Sequence, residues 1–328
     1  MRHTFWLAGV VAVLGCRRLP VDTDTRDPLP FPDDTADTDV PEVWTYDFDD
    51  DPGRIQLGTF NLEWLSDHLS DPEDFAPRNA VDVGMVGHLV QTSGLDVVIV
   101  QEVEGTDALE LLGLDARYAV ATGESGWSQN VGFIWRTDRV TIEDIHEVVL
   151  PGTEFPSKDL LVGTVRSVDG AVAFTLVGVH LQPYPDDESA RYRLGQVTEL
   201  TRWLREGLPL EAGDALAQDV IVGGDFNDTL EGINAEIPAL APLLADADLS
   251  FATAQAPTWS YIPYTSLIDH LVLSASMRAR WVDRDASDGC RVVSHDQLEP
   301  WCCYAGGWRD GQHVSDHRPV WIDLSLAP

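Results

Sequence analysis

Positive charge is scarce in this 328-residue chain: 21 Lys and Arg stand against 55 Asp and Glu, a formal net charge of -34 at pH 7. That deficit argues against a tight, sequence-independent grip on a nucleic-acid backbone, which relies on Lys and Arg displacing counterions. It does not exclude chemistry on phosphates, because a bound divalent cation can bring an acidic site and an anionic substrate together. The acidity serves solubility as well. Cysteine is equally sparse, with 4 residues. Cys290, Cys302 and Cys303 lack a second CxxC-type pair, which argues against zinc. One disulfide from Cys290 to Cys302 or Cys303 is expected in an oxidising compartment. The apolar stretch at residues 5–13 falls short of the roughly 20 residues that span a bilayer, and no internal repeat is present.

Hydrophobic residues make up 44% of the chain and aromatics 9%, enough for a full core in one large domain. The start reads as an export signal: Arg2 and His3, the short apolar stretch, then Val13-Leu-Gly-Cys16. Those last residues resemble the lipobox of bacterial lipoproteins, which implies a diacylated Cys16 at the mature N-terminus and membrane contact through that lipid alone. Ordinary signal-peptidase cleavage, giving a secreted or periplasmic protein, is the alternative. Residues 17–52 are dominated by Asp, Thr and Pro, as in Val21-Asp-Thr-Asp-Thr-Arg-Asp-Pro. They cannot bury enough surface to offset their ordering entropy, and read as a disordered acidic tether. The expected organisation is signal 1–16, tether 17–52 and a catalytic domain 53–328.

Within that domain, apolar runs end in polar residues. They are Ile55-Gln-Leu-Gly-Thr-Phe-Asn61-Leu-Glu63, Val97-Val-Ile-Val-Gln-Glu102, Phe174-Thr-Leu-Val-Gly-Val-His180, Val220-Ile-Val-Gly-Gly-Asp225-Phe-Asn227, Ser266-Leu-Ile-Asp269 and Val314-Ser-Asp316-His317. Each reads as a buried strand with its chemistry at the edge. Val83, Val86 and Val90 lie at helical spacing before a stop at Gly94, and Leu194, Val197, Leu200, Trp203 and Leu204 make the face of a second helix across 189–208. Residues 132–135 and 139–142 look like an antiparallel pair, as do 161–166 and 172–179 across Asp169-Gly170, a strong hairpin signal. This mixture fits an α/β fold with mixed sheets.

The ordered series of strand ends resembles the endonuclease/exonuclease/phosphatase superfamily of divalent-metal phosphoesterases, from about Arg54 to about Leu324. The resemblance implies a four-layered sandwich of two mixed β-sheets flanked by helices, and hydrolysis of phosphate esters by a monomer. It assigns Glu102 as principal metal ligand, with Asn61, Glu63 and Asp316 beside it. It gives Asp225 the attacking water, Asn227 a phosphate oxygen, and His180 contact with the scissile phosphate. Asp269 and His317 become a catalytic Asp-His pair. Arg193, with Gln196, matches the family's R-x-x-Q pattern and is expected at the substrate, as is Lys158, where many members carry Arg. Gly223 and Gly224 are expected to let the backbone pass close to substrate, and Asp228 and His270 to be structural.

Hard oxygen ligands suit Mg²⁺ or Mn²⁺. The substrate expected is a phosphodiester, with nucleic acid foremost. A phospholipid or sphingomyelin phosphodiesterase, a small-molecule phosphomonoesterase, and a catalytically inactive binding domain are the alternatives.

Overall fold

The computed structural model describes residues 51–67, 78, 80–151, 159–282, 289–297 and 314–327. Cys16, most of the tether, Lys158, Cys302 and Cys303 lie outside the described residues. No helix among the described residues is long and apolar enough to cross a membrane.

In chain order the strands are β1 (Arg54–Leu65), β2 (Val97–Val103), β3 (Tyr118–Thr122), β4 (Asn130–Arg136), β5 (Val140–Val148), β6 (Leu160–Ser167), β7 (Ala173–His180), β8 (Val220–Asp225), β9 (Leu249–Phe251), β10 (Asp269–Ser274), β11 (Cys290–Val292) and β12 (Val320–Ser325). They form two six-stranded sheets, ordered β11-β12-β1-β2-β4-β3 and β5-β6-β7-β8-β10-β9. Helices α1 (Ala80–Thr92) and α2 (Thr106–Glu110) cover the outer face of the first sheet, and α3 (Asp187–Glu206) covers that of the second.

Alternation along the strands explains the layers. In β2, Val97 and Ile99 enter the core between the sheets, while Val98 and Val100 face α1. In β7, Phe174 and Leu176 point inward and Val177 and Val179 face α3. Strands buried on both faces have apolar residues at successive positions, which is why these segments read as continuous hydrophobic runs. Each fully buried Leu, Ile or Phe contributes roughly 1.5–3 kcal/mol relative to exposure. The two sheets approach closely at Gly178 and Gly223: a Cβ at Gly178 would come within 2.6 Å of Val131 Cγ1, and one at Gly223 within 2.5 Å of Ile99 Cδ1. The expectation that Gly223 serves substrate is therefore corrected, since it faces the opposite sheet.

α3 follows from its sequence at both levels. Asp186 caps it by accepting Glu188 N and Ser189 N, each at 3.0 Å, and Val197, Leu200, Trp203 and Leu204 bury its inner face. The hairpin across Asp169-Gly170 forms as expected, with Gly170 at φ 73 and Arg166 opposite Ala173. The pairing expected between 132–135 and 139–142 does not form. β4 pairs with β2 and β3, whereas β5 pairs with β6 in the other sheet. Asp96 decides this: its carbonyl accepts Arg136 N at 2.9 Å and its Oδ1 accepts Arg139 Nε at 3.1 Å. The turn is thus pinned to the foot of β2, and Val140 and Ile142 pass into the core between the sheets.

Cys302 and Cys303, the partners expected for Cys290 in a disulfide, lie outside the described residues. Among the described residues Cys290 is a free thiol, opposite Ile322 in the β11–β12 pair and fully buried in the core between the sheets. Burial pushes that thiol up to about 12, which leaves it inert as a nucleophile.

Candidate active site

Topology brings the polar strand ends to one edge. β1 runs parallel to β2, and β7 to β8, so Asn61, Glu102, His180 and Asp225 all lie toward the C-terminal ends of parallel neighbours. β10 runs antiparallel to β8, which sets its first residue, Asp269, opposite Asp225. β12 runs antiparallel to β1, so Asp316 and His317, just before it, reach the same edge. Residues there with left-handed backbone include Glu63 (φ 49), Glu102 (φ 60) and Asn227 (φ 50). Such conformations cost about 1–3 kcal/mol each and gather at functional sites.

Asn61 ties the two sheets together. Its Nδ2 donates to Glu102 Oε1 and to Asp225 Oδ2, each at 3.1 Å. His180 Nε2 lies 3.5 Å from Glu102 Oε1 and 3.9 Å from Asp225 Oδ2. His317 Nδ1 donates to Asp269 Oδ2 at 2.7 Å, and its Nε2 lies 3.8 Å from Asp225 Oδ2 and 3.9 Å from Asp316 Oδ1. Glu63 Oε2 accepts Asp316 N at 2.9 Å, and its carbonyl accepts from buried Arg78 at 2.8 Å. Asn227 N donates to Asp225 Oδ1 at 2.7 Å, while one of its two side-chain N–H donors goes to Leu181 O at 3.0 Å.

Crowded negative charge sets the electrostatics. Burial, then the nearby Asp269, pushes Asp225 up to about 7, against the pull of His317. Burial and the adjacent Glu63 carry Asp316 well above the ordinary carboxylate range. For His317, burial favours the neutral ring, but Asp269, Asp316 and Asp225 outweigh it and raise the imidazole well above 6.5. The donor set fits a hard divalent cation: Glu102, His180 and Asp225 each offer an atom within 4.8 Å of the others, and Glu63 and Asp316 add carboxylates that interact with that group, while Asn61 Oδ1 accepts Glu63 N at 2.9 Å. A cation would offset the burial and like-charge repulsion that raise Asp225 and Asp316.

Arg193 is not at the substrate. It is fully buried, donating to Gln182 O at 2.9 Å and Tyr184 O at 2.6 Å, with Nε 3.5 Å from Asp228 Oδ2. Gln196 Oε1 accepts Gln182 N at 2.9 Å, so the R-x-x-Q pair braces the loop after His180. Asp228 accepts Thr229 N at 2.9 Å and Ile233 N at 2.5 Å, as a turn residue does.

His270 is structural. Its Nδ1 accepts from Thr253 Oγ1 at 2.7 Å and its Nε2 donates to Asp228 O at 2.9 Å, which fixes the tautomer. Burial lowers its pKa from 6.5 to about 4. The unfolded chain therefore takes up this proton first, so the contribution is whole above about 6.5 and lost as pH falls toward 4. His270→Gln should flatten the pH dependence of the urea midpoint across that window, by roughly 3 kcal/mol at most. An unchanged acid slope would show that His270 already carries its proton when folded.

Several contributors carry no motif signal of their own. Ser315 Oγ donates to Asn61 O at 2.7 Å and accepts His317 N at 3.0 Å. His295 Nε2 donates to His317 O at 2.8 Å. Tyr261 lies over the His317 ring, and the aromatic run Trp259-Ser-Tyr261 ahead of Asp269 was its only trace in the sequence.

Residues 58–317 match the family model described as Endonuclease/Exonuclease/phosphatase family. The chain belongs to that family. The matched stretch includes every candidate catalytic and metal-ligating residue, and the chain is accordingly a hydrolase of phosphate esters. Solved structures of similar fold include a humanized TDP2 from D. rerio, at 17% identity and TM-score 0.56, covering 83% of this chain and 99% of that one. An endonuclease/exonuclease/phosphatase family protein from Bacteroides thetaiotaomicron is 18% identical with TM-score 0.55, covering 83% and 94%. A 3' phosphatase, NExo from Neisseria, bound to product DNA hairpin, is 17% identical with TM-score 0.57, covering 83% and 99%. At these identities the likeness is one of fold. No curated protein matches by sequence.

Proposed function

We propose that this family member is a Mg²⁺- or Mn²⁺-dependent phosphodiesterase acting on nucleic acid. The observation that carries the reading is the His317–Asp269 bond of 2.7 Å, with His317 Nε2 aimed between Asp225 and Asp316. Glu102, Asn61, Glu63 and Asp316 would hold the cation. When bound, it neutralises charge on the phosphate's nonbridging oxygens. Asp225, whose Oδ2 lies 3.8 Å from His317 Nε2, orients the attacking water and takes its proton. Asp269 holds the His317 ring so that Nε2–H meets developing charge on phosphate oxygen, and His180 and the second N–H of Asn227 hold that group in line. The Neisseria neighbour's DNA product hairpin supports nucleic acid as the substrate class.

The segment before the domain is part of the proposal. The signal-like start and Cys16 support an exported enzyme held to the bacterial envelope by lipid, acting as a monomer. Cys16→Ser should release it from membranes; unchanged membrane fractionation would remove the anchor. The function itself is tested by turnover, with Mg²⁺, of bis-p-nitrophenyl phosphate, single- and double-stranded DNA, RNA, sphingomyelin and inositol phosphates. Oligonucleotides should turn over fastest. Preference for sphingomyelin or an inositol phosphate would replace the substrate class, and inertness on all of them would leave a binding domain.

A further inference from the structure

The catalytic imidazole is the inner end of a short ladder of rings. Tyr261 lies over His317 with centroids 4.8 Å apart and planes inclined by 39°. Tyr264 lies over Tyr261 at 5.7 Å, again at 39°. His317 is buried, whereas Tyr264 is 77% exposed. The backbone fixes this arrangement. Tyr261 N donates to Ser266 O at 2.8 Å and Ser266 N returns to Tyr261 O at 3.2 Å, closing a tight hairpin with Thr265 at φ 51. Ile262 N donates to Asp316 O at 2.9 Å, and Arg318 N to Ser260 O at 2.7 Å. The hairpin is thus bonded directly to the segment that carries Asp316 and His317.

Other features of the same edge point the same way. Tyr184, four residues after His180, is 69% exposed, and Trp127, in the loop entering β4, is 80% exposed. Among the described residues, the arginines nearby each have a partner within the chain. Arg78, Arg193 and Arg318 are buried, Arg318 forms two 2.7 Å bonds to Asp296, and Arg191 lies 3.4 Å from Asp187. Among the described residues, a substrate at this edge therefore meets exposed ring faces beside few free guanidinium groups.

We propose that Tyr261 and Tyr264 form a stacking platform for an unpaired nucleobase flanking the scissile phosphate, making the enzyme selective for single-stranded nucleic acid. This rests on the phosphodiesterase reading above. Every base has a π-face, so such a contact is tolerant of sequence and needs no phosphate neutralised. It accords with a chain of net charge -34. A lipid surface fits less well, because the rings lead inward from Tyr264 through Tyr261 to the buried His317.

The test uses the full chain with Mg²⁺ and a short single-stranded DNA bearing either a normal or an abasic nucleotide beside the scissile bond. Tyr264→Ala should raise KM on the intact strand about tenfold, with the loss carried by KM rather than kcat, and Tyr264→Trp should restore it. On the abasic strand the wild type and Tyr264→Ala should coincide. Equal KM values on the intact strand, or an equal penalty on both strands, would overturn the platform. So would a defect confined to phosphatidylcholine vesicles, which would assign the ring to lipid. Binding of a 2-aminopurine-labelled strand without metal gives a readout independent of turnover: fluorescence should be quenched by wild type and not by Tyr264→Ala. Quenching without turnover would sink the phosphodiesterase reading and keep the platform; turnover indifferent to Tyr264 would do the reverse.

Discussion

His317→Ala should lower kcat by at least about 10²-fold, and Asp269→Ala should do the same. The bond between them is 2.7 Å and buried, and Asp269 outranks the other carboxylates among the charges that raise the imidazole. Without Asp269 the ring loses its orientation and part of its hold on the proton; without His317, Asp269 has nothing to orient. The double mutant should therefore be little worse than the worse single, because residues that act as one unit are not additive. A kcat series on bis-p-nitrophenyl phosphate settles the matter. Losses that multiply would mean that Asp269 acts on something other than His317.

Glu102→Gln should push the cation requirement into the millimolar range or beyond while the fold survives, and EDTA should abolish wild-type activity. The substitution keeps shape and leaves an oxygen for Asn61 Nδ2, now 3.1 Å from Glu102 Oε1. It removes one negative charge from a cluster in which burial and neighbouring acids already hold Asp225 and Asp316 above their ordinary ranges. Less negative charge means weaker attraction for a divalent ion. Turnover titrated with Mg²⁺ and Mn²⁺, alongside circular dichroism, checks both halves. Full activity in the metal-stripped wild type would eliminate the cation from the chemistry.

The convergence of polar strand ends at one edge was legible because these strands are buried on both faces. Val97-Val-Ile-Val and Phe174-Thr-Leu-Val stand out as runs, and a carboxylate or imidazole closing such a run needs a reason to be there. α3 announced itself by spacing, and the β6–β7 hairpin by Asp169-Gly170. The β4–β5 crossover was hidden because its local turn chemistry reads as a hairpin, while the deciding contact comes from Asp96, some forty residues away. Arg193 was misread for a related reason: a guanidinium that grips substrate and one that grips carbonyl oxygens carry the same letter. The burial of Cys290 is not legible in the sequence, because only pairing with β12 turns it into the core.

Asn61, Glu102 and His317 belong to one sheet or its approach, and His180, Asp225 and Asp269 to the other. Gly178 and Gly223, each two residues short of His180 and Asp225, let the sheets draw together at the catalytic edge. The centre is therefore a gauge of the gap between two halves of the molecule. A separation too slight to wet the core would still part Asn61 from Asp225. Turnover then depends on how closely the sheets are closed as well as on whether the chain is folded, and it is the first property to fail when they begin to part.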